Sequence, residues 1–302
     1  MKYITFNNDK ISKLSLGTVS FGQVYGVANK FGVVNQSEVN NILDYLILSG
    51  INSFDTAKSY DKSEVVIGNY FGNHDTKNLN IVSKISSSQL KDSKIFDIVN
   101  DSLMKLNINS LFALLLHDTN ILHNDNFDIA TKISKLKDEG YIKYFGVSIY
   151  EEEEFNLALK NDDINIIQIP FNIFDQRAIH KNWFKKARDK NKLIFIRSIY
   201  LQGLLLMKNS DIPASLLYAK NILKKLDDFS ISLNIDKNRL CMSFVDYFAK
   251  DSSIIFGCDT LKQAKENINN FENIYEFNQN QINYLLDTFK DISVDIYDPR
   301  RW

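Results

Sequence analysis

Ile51-Asn52-Ser53-Phe54-Asp55-Thr56-Ala57-Lys58-Ser59-Tyr60 is the stretch on which the fold turns. Its first half is a strand-like run that ends on the carboxylate of Asp55, and a tyrosine follows five residues later. Two further runs repeat the pattern: Leu79 to Ile85 carries Lys84 near its end, and Leu111 to His117 ends on the histidine. Burying a carboxylate, an ammonium or an imidazole is costly, so each of these strand ends calls for a partner. In a closed parallel β/α barrel the C-terminal strand ends converge on one face, where such enzymes hold their chemistry. Three neighbouring strands of this kind would bring Asp55, Tyr60, Lys84 and His117 into one small volume.

Outward from this stretch, strand-like and helix-like segments alternate along the whole chain. Two extended pieces, Tyr3 to Phe6 and Ile11 to Leu14, precede a first strand at Leu14 to Thr18. Ser37 to Ser49 carries Val39, Ile42, Leu43, Leu46 and Ile47 at helical spacing and stops at Gly50. Helices are expected at Ser63 to Phe71, with Ser63 as N-cap, at Ile95 to Leu106, and at Phe127 to Glu139 before Gly140. Further strands are expected at Tyr144 to Ile149, Asn165 to Pro170, Lys192 to Ile199 and Ser253 to Gly257. Between and after them lie helical segments at Ala178 to Lys190, Pro213 to Lys250 with a break near Asn234, Leu261 to Asn270 and Gln279 to Phe289. The acidic run Glu151 to Glu154 reads better as a helix start than as a binding patch, because acids complement the helix dipole there. Eight strand–helix units predict an α/β fold: a (β/α)8 TIM barrel with a short N-terminal β-hairpin, as one domain over residues 1–302. A doubly wound sheet is the runner-up, weakened because no Gly-x-Gly-x-x-Gly follows an early strand.

Bulk properties narrow the function. A chain of 302 residues with 44% hydrophobic residues can fill a large core. A net charge of −1 gives nucleic acid and anionic membranes no electrostatic claim. Apolar runs such as Leu111 to Leu116 are too short to span a bilayer, and the N-terminus lacks a signal-peptide layout. Cys241 and Cys258 make neither a disulfide framework nor a zinc quartet, so no metal is expected and a cytoplasmic location is the default.

Taken singly, each strand-end residue has an ordinary explanation: a cap for Asp55, packing for Tyr60, solvent for Lys84, a loop carbonyl for His117. Together they suggest an acid with tuning. A tyrosine with a pKa near 10 is a poor donor at neutral pH, and a nearby ammonium would lower that value. Lys84 would supply the charge, Asp55 would hold Lys84, and a neutral His117 would orient a substrate oxygen. Protonating an oxygen suits carbonyl reduction, and the hydride would have to come from a nicotinamide cofactor.

At this point the chain resembles the aldo-keto reductases. The matching segments are Leu16-Gly17-Thr18-Val19-Ser20-Phe21-Gly22, Phe54-Asp55-Thr56-Ala57 with Tyr60, Ser83-Lys84, Leu116-His117 and Gly146-Val147-Ser148. Gln168 before Phe171-Asn172, and Gly257 with Gln263, Glu266 and Asn267, complete the ordered set. The resemblance implies a catalytic tetrad of Asp55, Tyr60, Lys84 and His117, with Tyr60 as the acid, and an extended NADP(H) lying across the strand ends. It implies cofactor contacts from Gly17, Thr18 and Arg197, from Ser148 and Gln168 at the nicotinamide, and from Ser198, Leu201 and Gly203 at the pyrophosphate. Gly257, Cys258, Asp259 and Thr260 would face the adenosine ribose, with Gln263, Glu266 and Asn267 toward the adenine. Thr260 also reads as a plain helix N-cap.

The chain departs from the family's pattern at three places. Ile149 stands where an Asn usually follows Gly-Val-Ser. Arg197 replaces the aromatic that stacks on the nicotinamide, although a guanidinium plane can stack too. Asp259 stands where Lys, Arg or Ser is common; a carboxylate would repel a 2′-phosphate, which brings NAD(H) close behind NADP(H). Phe21 and Tyr25 are candidates for the substrate wall, with loop packing as the alternative. The segments Leu16 to Gly22, Arg197 to Leu206 and Asp298 to Trp302 resemble a bacterial branch linked to sugar and surface-polysaccharide pathways, which implies a small sugar-derived carbonyl substrate. Trp302 would either fold over the site or pack beneath a helix. Two other readings stand beside reduction: a cofactor-binding regulatory protein of low turnover, and lyase or isomerase chemistry with a retained cofactor.

Overall fold

The computed structural model describes residues 1–92, 94–123 and 129–302. The first strands, β1 (Tyr3–Phe6) and β2 (Asp9–Ser12), pair antiparallel around Asn7 and Asn8, whose φ values of 46° and 73° suit asparagine. There follow β3 (Leu14–Gly17), β4 (Ser53–Asp55), β5 (Asn80–Ile85) and β6 (Leu111–Leu116), then β7 (Ile142–Ser148), β8 (Ile166–Pro170), β9 (Leu193–Arg197) and β10 (Ser252–Gly257). Among the described residues these eight strands are parallel and close into a barrel, because β10 pairs with both β9 and β3. The (β/α)8 barrel with an N-terminal hairpin is therefore the fold.

Two apolar layers separate by the period of two along each strand. Ile81, Leu114, Leu116, Val147, Ile167 and Ile196 pack with the helices in the outer layer. Their alternates Val82, Ala113, Leu115, Ile166 and Phe195 pack inside the barrel, together with Phe6 and Ile11 of the hairpin. The hairpin thus plugs the N-terminal end, and Lys143 and Tyr144 pin it there through Asp9 at 2.5 and 2.6 Å.

Some local expectations shift. Lys62, not Ser63, precedes the helix Ser63–Phe71. The Ser63 hydroxyl instead donates to the Thr18 carbonyl at 2.9 Å and meets the hydroxyls of Thr18 and Thr56, tying three loops together. The stretch after Pro213 divides into a 3₁₀ segment, Ala214–Ala219, and helices Lys220–Ser232 and Lys237–Phe248, with Asn234 turning at φ 53°. The helix before Gly140 is described over Ile129–Asp138; its expected start at Phe127 lies outside the described residues. Glu151 and Glu154 form a reciprocal capping box, which accounts for the acidic run as a helix start.

Candidate active site

Lys84, Gln168 and Arg197 each sit two residues beyond an interior core residue of the same strand: Val82, Ile166 and Phe195. His117 stands in the same relation to Leu115, one residue past the end of β6. The row that fills the barrel therefore turns polar at its C-terminal rim, and the polar members meet there. Register places Asp55 beside Gly17, and Ser148 beside Gln168.

Lys84 Nζ donates to Asp55 Oδ2 at 2.6 Å and to the Thr56 carbonyl at 2.8 Å, and it lies 3.3 Å from the Tyr60 hydroxyl. Gln168 Nε2 donates to the other carboxylate oxygen of Asp55 at 2.8 Å. Both oxygens of the buried acid are thus matched, as a stable buried ion pair requires. The Tyr60 and His117 rings meet edge to face with centroids 5.8 Å apart, and Ser59 Oγ lies 3.0 Å from His117 Nδ1.

The loop that carries Tyr60 is held from several sides. The Thr56 and Lys58 amides extend the strand ladder onto the carbonyls of Val82 and Lys84 at 2.8 and 3.0 Å. Lys58 reaches Asp101. The short helix Val19–Gly22 packs so closely that a Cβ on Gly22 would stand 1.8 Å from the Tyr60 carbonyl oxygen. Thr18 donates to the Asp55 carbonyl at 3.1 Å, so this residue locks the loop as well as lining the rim.

The electrostatics depart from the expected tuning. Burial, then the Asp55 carboxylate, hold the Tyr60 phenol well above its usual range, while Arg197 acts in the opposite sense. The lowering expected from Lys84 does not prevail: burial is the largest cause, and the Asp55 carboxylate that pairs with Lys84 also raises the phenol. Tyr60 is therefore a protonated phenol. Burial pushes Lys84 down against the opposing pull of Asp55. Burial, then the charges of Lys84 and Arg197, push His117 down to about 4, so its imidazole is neutral at pH 7.

On the neighbouring rim, Ser148 is buried at the end of β7, beside Gln168 in the strand register. Ile149 is fully buried and offers only backbone: its carbonyl accepts from Arg197 Nη2 at 3.0 Å. Arg197 Nη1 lies 3.3 Å from Ser198 Oγ. Ser198, Leu201, Gln202 and Gly203 have φ of 64°, 50°, 54° and 89°, a left-handed run that Asn172 supports by donating to the Ser198 carbonyl at 3.0 Å. Leu201 and Cys258 are buried side chains, so they too have only backbone to offer.

Next to β10, the Asp259 amide donates to Gln263 Oε1 at 2.6 Å, and Thr260 caps the helix Leu261–Glu272 by accepting from the Gln263 amide at 3.2 Å. Asn267 is committed elsewhere: it accepts from Tyr200 at 2.6 Å and donates to the Gln263 carbonyl at 2.8 Å. Glu266 is exposed beside Lys262. Gly257 is exposed at the rim. Phe21 has 0% exposure and belongs to the core, so the packing alternative holds for it and it walls no pocket. Tyr25 leaves 40% of its surface exposed; its hydroxyl is raised to about 12 by burial and then by Tyr60, with Arg197 acting oppositely. Its outer edge is in solvent and its hydroxyl end belongs to the Tyr60 cluster.

Sequence reasoning missed two contributors, Tyr150 and Arg300, and gave no role to a third, Asn172. Tyr150 lies between two guanidinium groups, Arg197 at 4.0 Å and Arg300 at 3.7 Å from its ring centroid. Arg300 is held by Asp298 and by Glu151 at 2.7 Å. Asn172 braces the left-handed turn. A strand-end aromatic next to Ile149 was the available signal for Tyr150; nothing local signalled Arg300, which arrives from the C-terminus. Trp302 packs on the helix Val294–Tyr297, donating to the Asp295 carbonyl at 3.0 Å.

The residues present fit a nicotinamide. The Ser148 hydroxyl beside the Gln168 carboxamide can hold an amide group, and Gln168 bonds directly to Asp55. Hollows of about 440 Å³ around Asn234 and Asn269, and about 320 Å³ around Phe184 and Phe248, contain none of the rim residues.

A profile of the aldo/keto reductase family matches residues 13–288. The chain belongs to the aldo/keto reductase family. It is an NAD(P)-dependent oxidoreductase acting on small carbonyl compounds. The chain is 26% identical over 281 residues to the uncharacterized oxidoreductase YqkF of Bacillus subtilis (strain 168), covering 85% of this chain and 86% of that one. Among solved structures it superposes on the holo form of aldo-keto reductase AKR11C1 from Bacillus halodurans with a TM-score of 0.78, at 20% identity over all of both chains. An aldo-keto reductase from Klebsiella pneumoniae in complex with NADPH gives 0.72, at 16% identity over 96% of each chain. Among the described residues no helix is long and apolar enough to cross a membrane.

Proposed function

We propose that this enzyme reduces an aldehyde or ketone, sugar-derived by resemblance, to an alcohol with Tyr60 as proton donor. The observation that carries the reading is the Asp55–Lys84–Tyr60 chain of contacts at 2.6 and 3.3 Å. When bound, the nicotinamide supplies the hydride. Tyr60 gives its proton to the substrate oxygen, and Lys84 stabilises the phenolate left behind. Asp55 and Gln168 fix Lys84 so that it cannot swing away. The neutral imidazole of His117 directs the carbonyl oxygen toward the phenol. Proton transfer of this kind contributes about 10² to 10⁴ in rate.

For the cofactor, the reading is NAD(H). Asp259 stands where the family meets the ribose, and Glu38 accepts the Leu261 amide at 2.6 Å nearby. Two carboxylates there suit a 2′-hydroxyl better than a 2′-phosphate. Lys262, the adjacent cation, is 85% exposed and lies beside the Glu266 carboxylate. A panel of aldehydes and ketones, sugar aldehydes included, read by oxidation of NADH and of NADPH, tests both statements. Turnover with NADH is expected; turnover of nothing with either cofactor would remove the reductase reading, and a clear NADPH preference would remove the assignment to Asp259.

A further inference from the structure

Arg197 is unusual among the arginines of this rim. Arg177 is paired with Asp175 at 2.8 Å and Glu151 at 3.1 Å. Arg300 is paired with Asp298 at 2.5 Å and Glu151 at 2.7 Å. Arg197 has no carboxylate partner among the described residues; its hydrogen bonds go to the neutral Ile149 carbonyl at 3.0 Å and the Ser198 hydroxyl at 3.3 Å. One face of its guanidinium is stacked on Tyr150, whose ring also carries Arg300. The nearest acids are thus already spent: Asp55 on Lys84, Glu151 and Asp298 on Arg300.

Its head hangs over the end of β7, next to Ser148, and so beside the rim where Asp55, Lys84 and Gln168 meet. A ring that delivers hydride to a carbon whose oxygen faces Tyr60 must lie within a few ångströms of this cluster. The reduced ring is neutral. On giving up the hydride, two electrons and a proton's worth of mass pass to the carbonyl carbon, the Tyr60 proton passes to the oxygen, and the ring is left with one positive charge. A fixed, uncompensated cation beside it therefore opposes the oxidised form and leaves the reduced form alone.

We infer that Arg197 makes the site selective for the reduced over the oxidised nicotinamide, and so sets the enzyme toward carbonyl reduction. This rests on the reductase reading but asks a separate question of it. The Tyr150–Arg300 stack holds the guanidinium in place and adds a second cation behind it.

Equilibrium binding of NADH and NAD⁺ to the wild-type protein and to Arg197→Met, measured by titration calorimetry, tests this without turnover. A unit charge a few ångströms away in a partly buried site shifts such an equilibrium roughly ten- to a hundredfold. The wild type should bind NADH tighter than NAD⁺ by about that factor, and Arg197→Met should tighten NAD⁺ while leaving NADH within about threefold. Tightening cannot come from misfolding. If Arg197→Met weakens both forms alike, Arg197 serves a cofactor phosphate instead and the inference is wrong. If the wild type binds both forms equally, it is wrong without any variant. If neither form binds, the reductase reading falls and takes this inference with it.

Discussion

Lys84 and Lys13 are buried at opposite ends of the barrel, and their partners separate function from framework. Lys84, at the C-terminal rim, faces a carboxylate at 2.6 Å and a phenol at 3.3 Å. Lys13, at the N-terminal end, donates to the carbonyls of Ala249, Lys250 and Ser252, with Asp246 only as near as 3.8 Å. Those carbonyls lie in the turn from the helix Lys237–Phe248 into β10, so Lys13 ties that turn to the start of β3. Burial lowers the pKa of both. A buried, perturbed lysine is therefore no sign of chemistry by itself; a carboxylate behind it and a proton donor in front of it are.

Exchanging each lysine for methionine should break the pair apart. Lys84→Met is expected to lower the reductase rate by about 10² to 10⁴, because it removes the cation that stabilises the Tyr60 phenolate. Lys13→Met should leave the rate of the folded enzyme unchanged and lower its unfolding free energy by about 2–4 kcal/mol, since it strands buried carbonyls. Steady-state kinetics beside urea melts would show the contrast. Equal loss of rate in both variants would erase it.

The same pair differs in what pH can do. The Lys13 ammonium is lowered to about 8 in the fold, against about 10.4 in an unfolded chain. Between these values the unfolded state holds more protons, so this group makes stability rise with pH; below pH 8 it is charged in both states and the burial cost is fully present. The wild-type stability, relative to that of Lys13→Met, should climb by up to about 3 kcal/mol from pH 7.5 to 10. Parallel stability curves for the two proteins would mean that Lys13 is not desolvated as described.

Smallest of all should be the effect of the tail on folding. Arg300→Met removes a half-exposed ion pair with Glu151, a pair with the buried Asp298 carboxylate and one cation–π contact, and should cost about 1–2 kcal/mol. A loss of several kcal/mol would make the tail part of the framework, as Lys13 is, rather than part of the rim.

Much of this was legible in the chain. The alternation of strand and helix fixes the barrel because period and length are local properties. The rim residues were legible because a polar group two positions past a buried one breaks the apolar row, as at Val82 and Lys84 or Phe195 and Arg197. What escaped was set by contacts between distant segments. Nothing near Ser63 shows that its hydroxyl would bind three loops instead of capping its own helix. Nothing near Phe21 shows that its ring turns inward. Nor does Tyr150 announce Arg300, which lies half the chain away. The Tyr60 phenol shifts upward instead of downward for a related reason: its burial, set by distant segments, and then the Asp55 carboxylate outweigh the lowering expected from Lys84.

The central claim is that Tyr60 delivers the proton, and Tyr60→Phe tests it most directly. With a reducible aldehyde in single-turnover reaction, the variant should oxidise bound NADH at least about 10²-fold more slowly than wild type, with NADH affinity unchanged. A variant that keeps the wild-type rate would mean that the proton comes from another group, and the roles assigned to Lys84 and Asp55 would fall with it.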